Sequence, residues 1–131
     1  MTSYLLKNIT VLDKSSEHNG KKVNVLIENG KIAKIGTAVE DAAAETIDFS
    51  GSYLAPGFCD LYVNINDPGF EYREDITSVA NAAIAGGFTT ICATADNHPI
   101  TQSKAQVEYI LNNAKNTPVS ILPIGAVTEN F

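Results

Sequence analysis

The sequence predicts an α/β fold in which a β-rich segment precedes an alternation of strands and helices. Short strand-like runs dominate before Pro56, whereas strands and amphipathic helices alternate after it. The later strands are almost continuously apolar, which is typical of a parallel sheet covered by helices. We therefore divide the chain into residues 1–55, a β-rich segment, and residues 56–131, the first βαβαβ units of a parallel sheet.

The β-rich segment contains a clear hairpin signal. Val23, Val25 and Ile27 alternate with Asn24, Leu26 and Glu28, and a second run covers 31–36. Asn29-Gly30 lies between them, and this dipeptide favours a tight turn because both residues accept positive φ. We also expect strands over 3–12, 46–49 and 53–54, with a loop over 37–45.

The second segment reads as strand, helix, strand, helix, strand. The strands are expected over 58–65, 88–93 and 119–127. The first helix is predicted over 74–85, with acidic residues in its first turn and Gly86-Gly87 at its end. Ser103 with Gln106 predicts a capping box that opens the second helix, whose apolar stripe includes Ile110 and Leu111.

Composition argues against several classes of function. The net charge is −6 and no cluster of Lys or Arg is present, so nucleic acid is not an expected partner. We expect no membrane partner, because no apolar run reaches the ~18–20 residues of a spanning helix, and we see no signal peptide. Cys59 and Cys92 fall in apolar runs and are predicted to be buried free thiols of a cytoplasmic protein.

Polar residues follow each strand of the second segment, where parallel α/β proteins place their sites. They are Asp60, Tyr62, Asn64, Asn66 and Asp67 on and after the first strand, Thr94, Asp96, Asn97 and His98 after the second, and Thr128, Glu129 and Asn130 after the third. The residues alone leave two interpretations open. These side chains form a small-molecule site, or the Asn-Asp-Pro-Gly and Asp-Asn-His-Pro stretches are turns and His98 is an exposed loop histidine. The sequence contains no His-x-His, Glu-x-x-His or Cys-x-x-Cys metal motif.

The stretch APGFCDLYVNINDPGFEYREDITSVANAAIAGGFTT resembles the start of the barrel in dihydroorotases of the amidohydrolase superfamily. The resemblance implies a (β/α)8 TIM-type barrel flanked by a small β-sandwich that both ends of the chain build. Residues 1–55 would supply half of that composite sandwich, and residues 56–131 would begin the barrel. Later metal ligands and the catalytic aspartate of the family would lie beyond Phe131.

The departures from the family pattern concern its zinc and substrate residues. The pattern is Asp-x-His-x-His followed by an Arg, and here Asp60 is kept while Tyr62 and Asn64 occupy the histidine positions. Asn66 occupies the position of the arginine that holds the substrate carboxylate, and Asp96 falls in the stretch that corresponds to the substrate-contacting Met-Pro-Asn. Zinc prefers imidazole, thiolate or carboxylate donors, so no metal cofactor is expected here.

These departures predict a dihydroorotase-like protein of pyrimidine biosynthesis that is catalytically impaired. Because inactive members of the family scaffold aspartate transcarbamoylase, the resemblance implies a structural or regulatory partnership with that enzyme or with an active dihydroorotase. A homo-oligomer is also expected. One alternative is an active zinc-dependent cyclic amidohydrolase with a rebuilt metal site. The other is a small binding domain unrelated to pyrimidine synthesis.

Overall fold

A computed structural model describes residues 3–128. The chain divides into two compact units, Met1–Pro56 and Gly57–Phe131. The first is built from strands, and the second combines strands with two α-helices. No helix in the described part of the chain is long and apolar enough to cross a membrane.

The first unit is a five-stranded sheet with the order β3-β2-β1-β4, in which β5 also pairs with β1. β1, β2 and β3 are antiparallel, whereas β4 and β5 run parallel to β1. The predicted hairpin turn is confirmed, since Asn29 has φ 52° and Gly30 has φ 73°. The strands are β1 Ser3–Val11, β2 Lys22–Glu28, β3 Lys31–Gly36, β4 Glu45–Asp48 and β5 Tyr53–Leu54.

A bulge interrupts β1 at Asn8, where the register with β2 shifts. Asn8 has φ 61°, and its backbone N–H donates to Asn24 Oδ1 at 3.1 Å. Its side chain donates to Asp48 Oδ1 at 3.1 Å. That bond, followed by the bonds from Ser50, lowers the pKa of the Asp48 carboxyl. The bulge therefore ties three strands of the sheet together through polar side chains.

The second unit is a parallel three-stranded sheet with the order β6-β7-β8. Its core lies between the sheet and the two helices, and Ile91 and Ile110 are among its fully buried side chains. The predicted parallel βαβαβ order is confirmed. The elements are β6 Phe58–Val63, α1 Ile76–Ala85, β7 Phe88–Ala93, α2 Lys104–Asn113, a 3-10 turn Ala114–Asn116 and β8 Ser120–Pro123.

Several predicted boundaries in this unit are wrong. β8 stops at Pro123, well before the expected residue 127. α1 begins at Ile76, because Asp75 is its N-cap and accepts from Ser78 N at 2.7 Å. Ser103 does open α2, and its N–H donates to Gln106 Oε1 at 2.7 Å. Leu111, expected in the apolar stripe, is exposed.

The two cysteines are free, as expected, but the prediction that both are buried is wrong. Cys59 is exposed and Cys92 is half-buried. Cys92 alternates along β7 with Ile91 and Ala93, which are buried, so it points to the opposite face of the sheet. Cys59 pairs with Thr90, which lies on that same opposite face.

Candidate functional site

The end of β6 carries the first group of candidate residues, and an irregularity separates two of them. Asp60 pairs with Ile91 and Val63 pairs with Ala93, so β6 contains one extra residue between the two pairs. Asp60 consequently lines a groove of about 290 Å³ against α1, together with Val63 and Ile91. Its carboxylate also accepts the Tyr62 N–H at 3.0 Å. Asp60 therefore lies on the helix side of the sheet, apart from the other candidates.

Tyr62 and Asn64 lie at the carboxyl end of β6 and are exposed. The Tyr62 side chain is 79% exposed. Asn64 directly follows the last residue of β6, and its Nδ2 donates to Asp96 Oδ2 at 2.9 Å. Asp96 follows β7, so this bond joins the ends of two adjacent parallel strands.

Asn66 stands at a sharp turn and not on the strand. The prediction of a strand to residue 65 is wrong, because the chain leaves the sheet after Val63. Asn66 has φ 56°, in the left-handed region that asparagine tolerates better than most residues. Its N–H donates to Asn64 Oδ1 at 3.1 Å, and its carbonyl accepts from Phe70 N at 2.8 Å.

Asp96 is held by a second donor. Thr94 is 6% exposed, and its hydroxyl donates to Asp96 Oδ1. Thr94 N also donates to the Val63 carbonyl at 2.9 Å. Both carboxylate oxygens of Asp96 are therefore engaged by side chains of the same strand ends.

Asn97 and His98 point in different directions. Asn97 is 3% exposed and its Nδ2 donates to Thr101 Oγ1 at 3.4 Å, while its Oδ1 is buried without a hydrogen-bond partner among residues 3–128. His98 is exposed, and its ring centroid lies 6.2 Å from that of Phe70. The His98 N–H donates to the Pro68 carbonyl at 3.0 Å, which joins the two strand-end loops.

Asp67 is turned away from the strand ends into the protein. It is 7% exposed, and its Oδ1 accepts the Tyr109 hydroxyl at 2.9 Å. Its Oδ2 accepts Ile76 N at 3.3 Å, at the start of α1. Asp67 thus anchors its loop to both helices, and its bond raises the pKa of Tyr109.

Sequence reasoning missed two features of these loops. Tyr109 was not predicted as a partner of Asp67, because the two residues are 42 positions apart and neither carries a local motif. Arg73 stacks over the Phe70 and Tyr72 rings at 5.0 and 5.4 Å, and its Nε donates to Tyr72 Oη at 3.0 Å. The aromatic spacing in Gly-Phe-Glu-Tyr-Arg was the available signal for that stack. Glu129 and Asn130, also candidates, lie outside the described residues.

The strand-end residues do not fit a zinc ion. No group of three or more His, Cys, Asp or Glu side chains among residues 3–128 is placed to hold a metal. The amide of Asn64 is a poor zinc donor and is already bonded at both of its polar atoms. The arrangement in the described residues is a hydrogen-bonded polar cluster, and we derive no metal-dependent step from it.

The mixed α/β fold is similar to the folds of solved proteins of the amidohydrolase class. L-hydantoinase (dihydropyrimidinase) from Arthrobacter aurescens has a TM-score of 0.80 at 26% identity, covering 95% of this chain and 28% of that one. A D-hydantoinase has a TM-score of 0.71 at 26% identity, covering 98% of this chain and 28% of that one.

The chain belongs to the dihydro-orotase-like family, whose model matches residues 51–130. The dihydroorotase of Trichlorobacter lovleyi is 41% identical over 129 residues, covering 97% of this chain and 30% of the relative. The dihydroorotase of Aquifex aeolicus is 39% identical over 130 residues, covering 98% of this chain and 31% of the relative. The family expected from the sequence is thereby confirmed, and the chain spans about 30% of the length of these relatives.

Gly69 allows the two strand-end loops to touch, and we predict that Gly69→Ala is strongly destabilising. Gly69 has φ 108°, and a Cβ there would lie 2.7 Å from His98 Cβ and 2.8 Å from its carbonyl carbon. Gly51, with φ 87° and nothing within 4 Å, is the matched control. Gly51→Ala should cost about 1–2 kcal/mol in unfolding free energy from backbone strain alone.

Chemical denaturation of both variants checks this. Gly69→Ala should lose a further ~1–3 kcal/mol because of the clash. Equal losses for the two variants would show that the loops separate without cost.

The Tyr109–Asp67 bond predicts an alkaline loss of stability. The bond raises the folded-state pKa of Tyr109. Its stabilisation is therefore fully present below the ordinary tyrosine pKa of about 10 and is lost as pH rises through the raised value. Tyr109→Phe should cost about 1–3 kcal/mol at neutral pH, because the buried Asp67 oxygen loses its donor.

Unfolding free energies measured from neutral to alkaline pH test this assignment. The difference between the parent and Tyr109→Phe should shrink above about pH 10. Tyr53→Phe, at a side chain that is 68% exposed, serves as the control and should change little. A constant difference at all pH values would contradict the bond.

Proposed function

We propose that this chain is part of a dihydroorotase-like protein of pyrimidine biosynthesis that is catalytically impaired. The main support for this proposal is the 2.9 Å hydrogen bond from Asn64 Nδ2 to Asp96 Oδ2. Asn64 occupies a position where the family pattern has a zinc-binding histidine. Its side chain is committed to a neighbouring carboxylate and cannot replace imidazole as a metal ligand.

The altered residues also oppose binding of an anionic substrate. Asn66, at the family's arginine position, is neutral and lacks the bidentate fork that grips a carboxylate. Asp96 adds an exposed negative charge at the strand ends, and like charges repel. We therefore assign no catalytic residue among residues 3–128, and we regard Asn66 and Asp96 as altered substrate positions.

We also propose an architecture for the larger protein. Residues 56–131 would form the first units of a (β/α)8 barrel, and residues 1–55 would form half of a composite β-sandwich. The parallel order β6-β7-β8 supports the first assignment. In a barrel, further strands would pair with the outer strands of this sheet.

A family framework without the zinc-binding histidines supports our proposal of a structural or regulatory role with aspartate transcarbamoylase. An active dihydroorotase is the second partner that we propose, and the assembly would be a cytoplasmic homo-oligomer. The free state of Cys59 and Cys92 supports a reducing compartment.

One observation favours the alternative of an active zinc-dependent cyclic amidohydrolase. Asp96 places a carboxylate, a donor that zinc accepts, directly beside position 64. Together with ligands from elsewhere in the protein, it would form part of a rebuilt metal site. Metal content and turnover separate this alternative from the impaired protein.

We expect the full-length protein, purified without chelators, to contain less than about 0.1 zinc per chain and to show no ring opening of dihydroorotate, since the strand-end donors do not fit the ion. Elemental mass spectrometry and a turnover assay measure the two quantities. An active dihydroorotase purified in parallel is the positive control. One or two zinc ions per chain with turnover would establish the alternative instead.

The variant Tyr62→His/Asn64→His/Asn66→Arg provides the matched comparison for metal content. Zinc in this variant, but not in the parent, would show that only the front of the site has decayed. If the variant folds but contains no metal, zinc ligands elsewhere in the protein have also been lost.

We also expect a stable complex with purified aspartate transcarbamoylase from the same organism. Size-exclusion chromatography with light scattering should show co-elution at about 10 μM of each protein, a concentration that populates complexes of micromolar affinity. An unrelated acidic protein of similar size is the control. Separate elution would contradict the partnership, and the same assay with an active dihydroorotase tests the second partner.

A further inference from the structure

The strand ends of β6 and β7 are joined by a closed ring of hydrogen bonds. Thr94 N donates to the Val63 carbonyl at 2.9 Å, and the Thr94 hydroxyl donates to Asp96 Oδ1. Asp96 Oδ2 accepts Asn64 Nδ2 at 2.9 Å, and Asn64 is bonded covalently to Val63. The ring therefore returns to the residue from which it started.

The Thr94 hydroxyl determines how the ring is held. It lies near two acceptors, the Asp96 carboxylate and the Val63 carbonyl at 3.3 Å, but it has one proton. The charged acceptor makes the stronger bond, and the carbonyl already has the Thr94 N–H. Thr94 is 6% exposed, so it holds Asp96 from a buried and fixed position.

Asn64 uses both ends of its amide. While Nδ2 donates to Asp96, Oδ1 accepts Asn66 N at 3.1 Å. That second bond supports the turn at Asn66, whose φ is 56°. One side chain thus links two strands and also sets the direction of the loop that leaves β6.

We propose that Asn64 and Asp96 are a matched pair that forms a metal-free brace across the strand ends. The brace stands where the family pattern would place a zinc ligand, and the two side chains hold each other in place of an ion. The pair needs one donor amide and one acceptor carboxylate facing each other. This proposal concerns the described residues alone, and it rests on the proposed function in one respect, because in the alternative Asp96 would bind zinc.

An isosteric exchange tests the pairing in the full-length protein. Asn64→Asp places two carboxylates in contact, and Asp96→Asn turns an amide group towards the Asn64 amide. The exchange variant Asn64→Asp/Asp96→Asn restores one donor and one acceptor in the opposite direction. Its composition and net charge equal those of the parent, so it controls for charge.

Urea unfolding is measured with a chelator present throughout, so that no cation can bridge two carboxylates. We expect Asn64→Asp to raise the unfolding equilibrium constant about tenfold, equivalent to about 1.4 kcal/mol. The exchange variant should recover at least half of that free energy. If Asn64→Asp does not fold, recovery of the folded state by the exchange gives the same information.

Two results would overturn the brace. Asn64→Asp could match the parent within about twofold, or the exchange could recover less than half of the loss. Zinc bound to the parent protein would refute the proposed function separately, because that measurement does not enter the unfolding cycle.

Discussion

The parallel pairing of β6 with β7 is the constraint on which the candidate site depends. It brings Asn64 Nδ2 within 2.9 Å of Asp96 Oδ2, although 32 positions separate the two residues in the sequence. The extra residue in β6 between Asp60 and Val63 then decides which side chains share a face. Asp60 is turned towards α1, and the polar cluster forms beyond the last residue of the strand.

The loop after β6 is fixed by bonds on both sides. Asn64 and His98 connect it to the loop after β7, while Asp67 connects it to α1 and α2. Asp67 is buried, so its bonds are less exposed to competition by water than those of Asn64 and Asp96. Asn64 and Asp96 are exposed to solvent, but the loop that follows Asn64 is fixed to the two helices by the hydrogen bonds of the buried Asp67.

Local chemistry explains which parts of this fold the sequence could predict. The Asn29-Gly30 turn and the start of α2 at Ser103 depend on neighbouring residues, and both were predicted correctly. The Asp67–Tyr109 contact depends on how α2 lies beside a distant loop, and no spacing in the sequence indicates it. The candidates at the strand ends were found through parallel topology, but their partners were decided by register and by one extra residue in β6.

An amide side chain can replace the hydrogen bonds of an imidazole without replacing it as a zinc ligand. Imidazole and amide side chains both offer a donor and an acceptor, but only imidazole is a good zinc ligand. Asn64 can therefore satisfy the backbone of its turn with Oδ1 and a carboxylate with Nδ2. An imidazole that bound zinc through one ring nitrogen would have only the other ring N–H left, so it could donate to Asp96 but could not also accept the Asn66 N–H as Asn64 does. Metal binding and the present pair of bonds therefore exclude each other at residue 64.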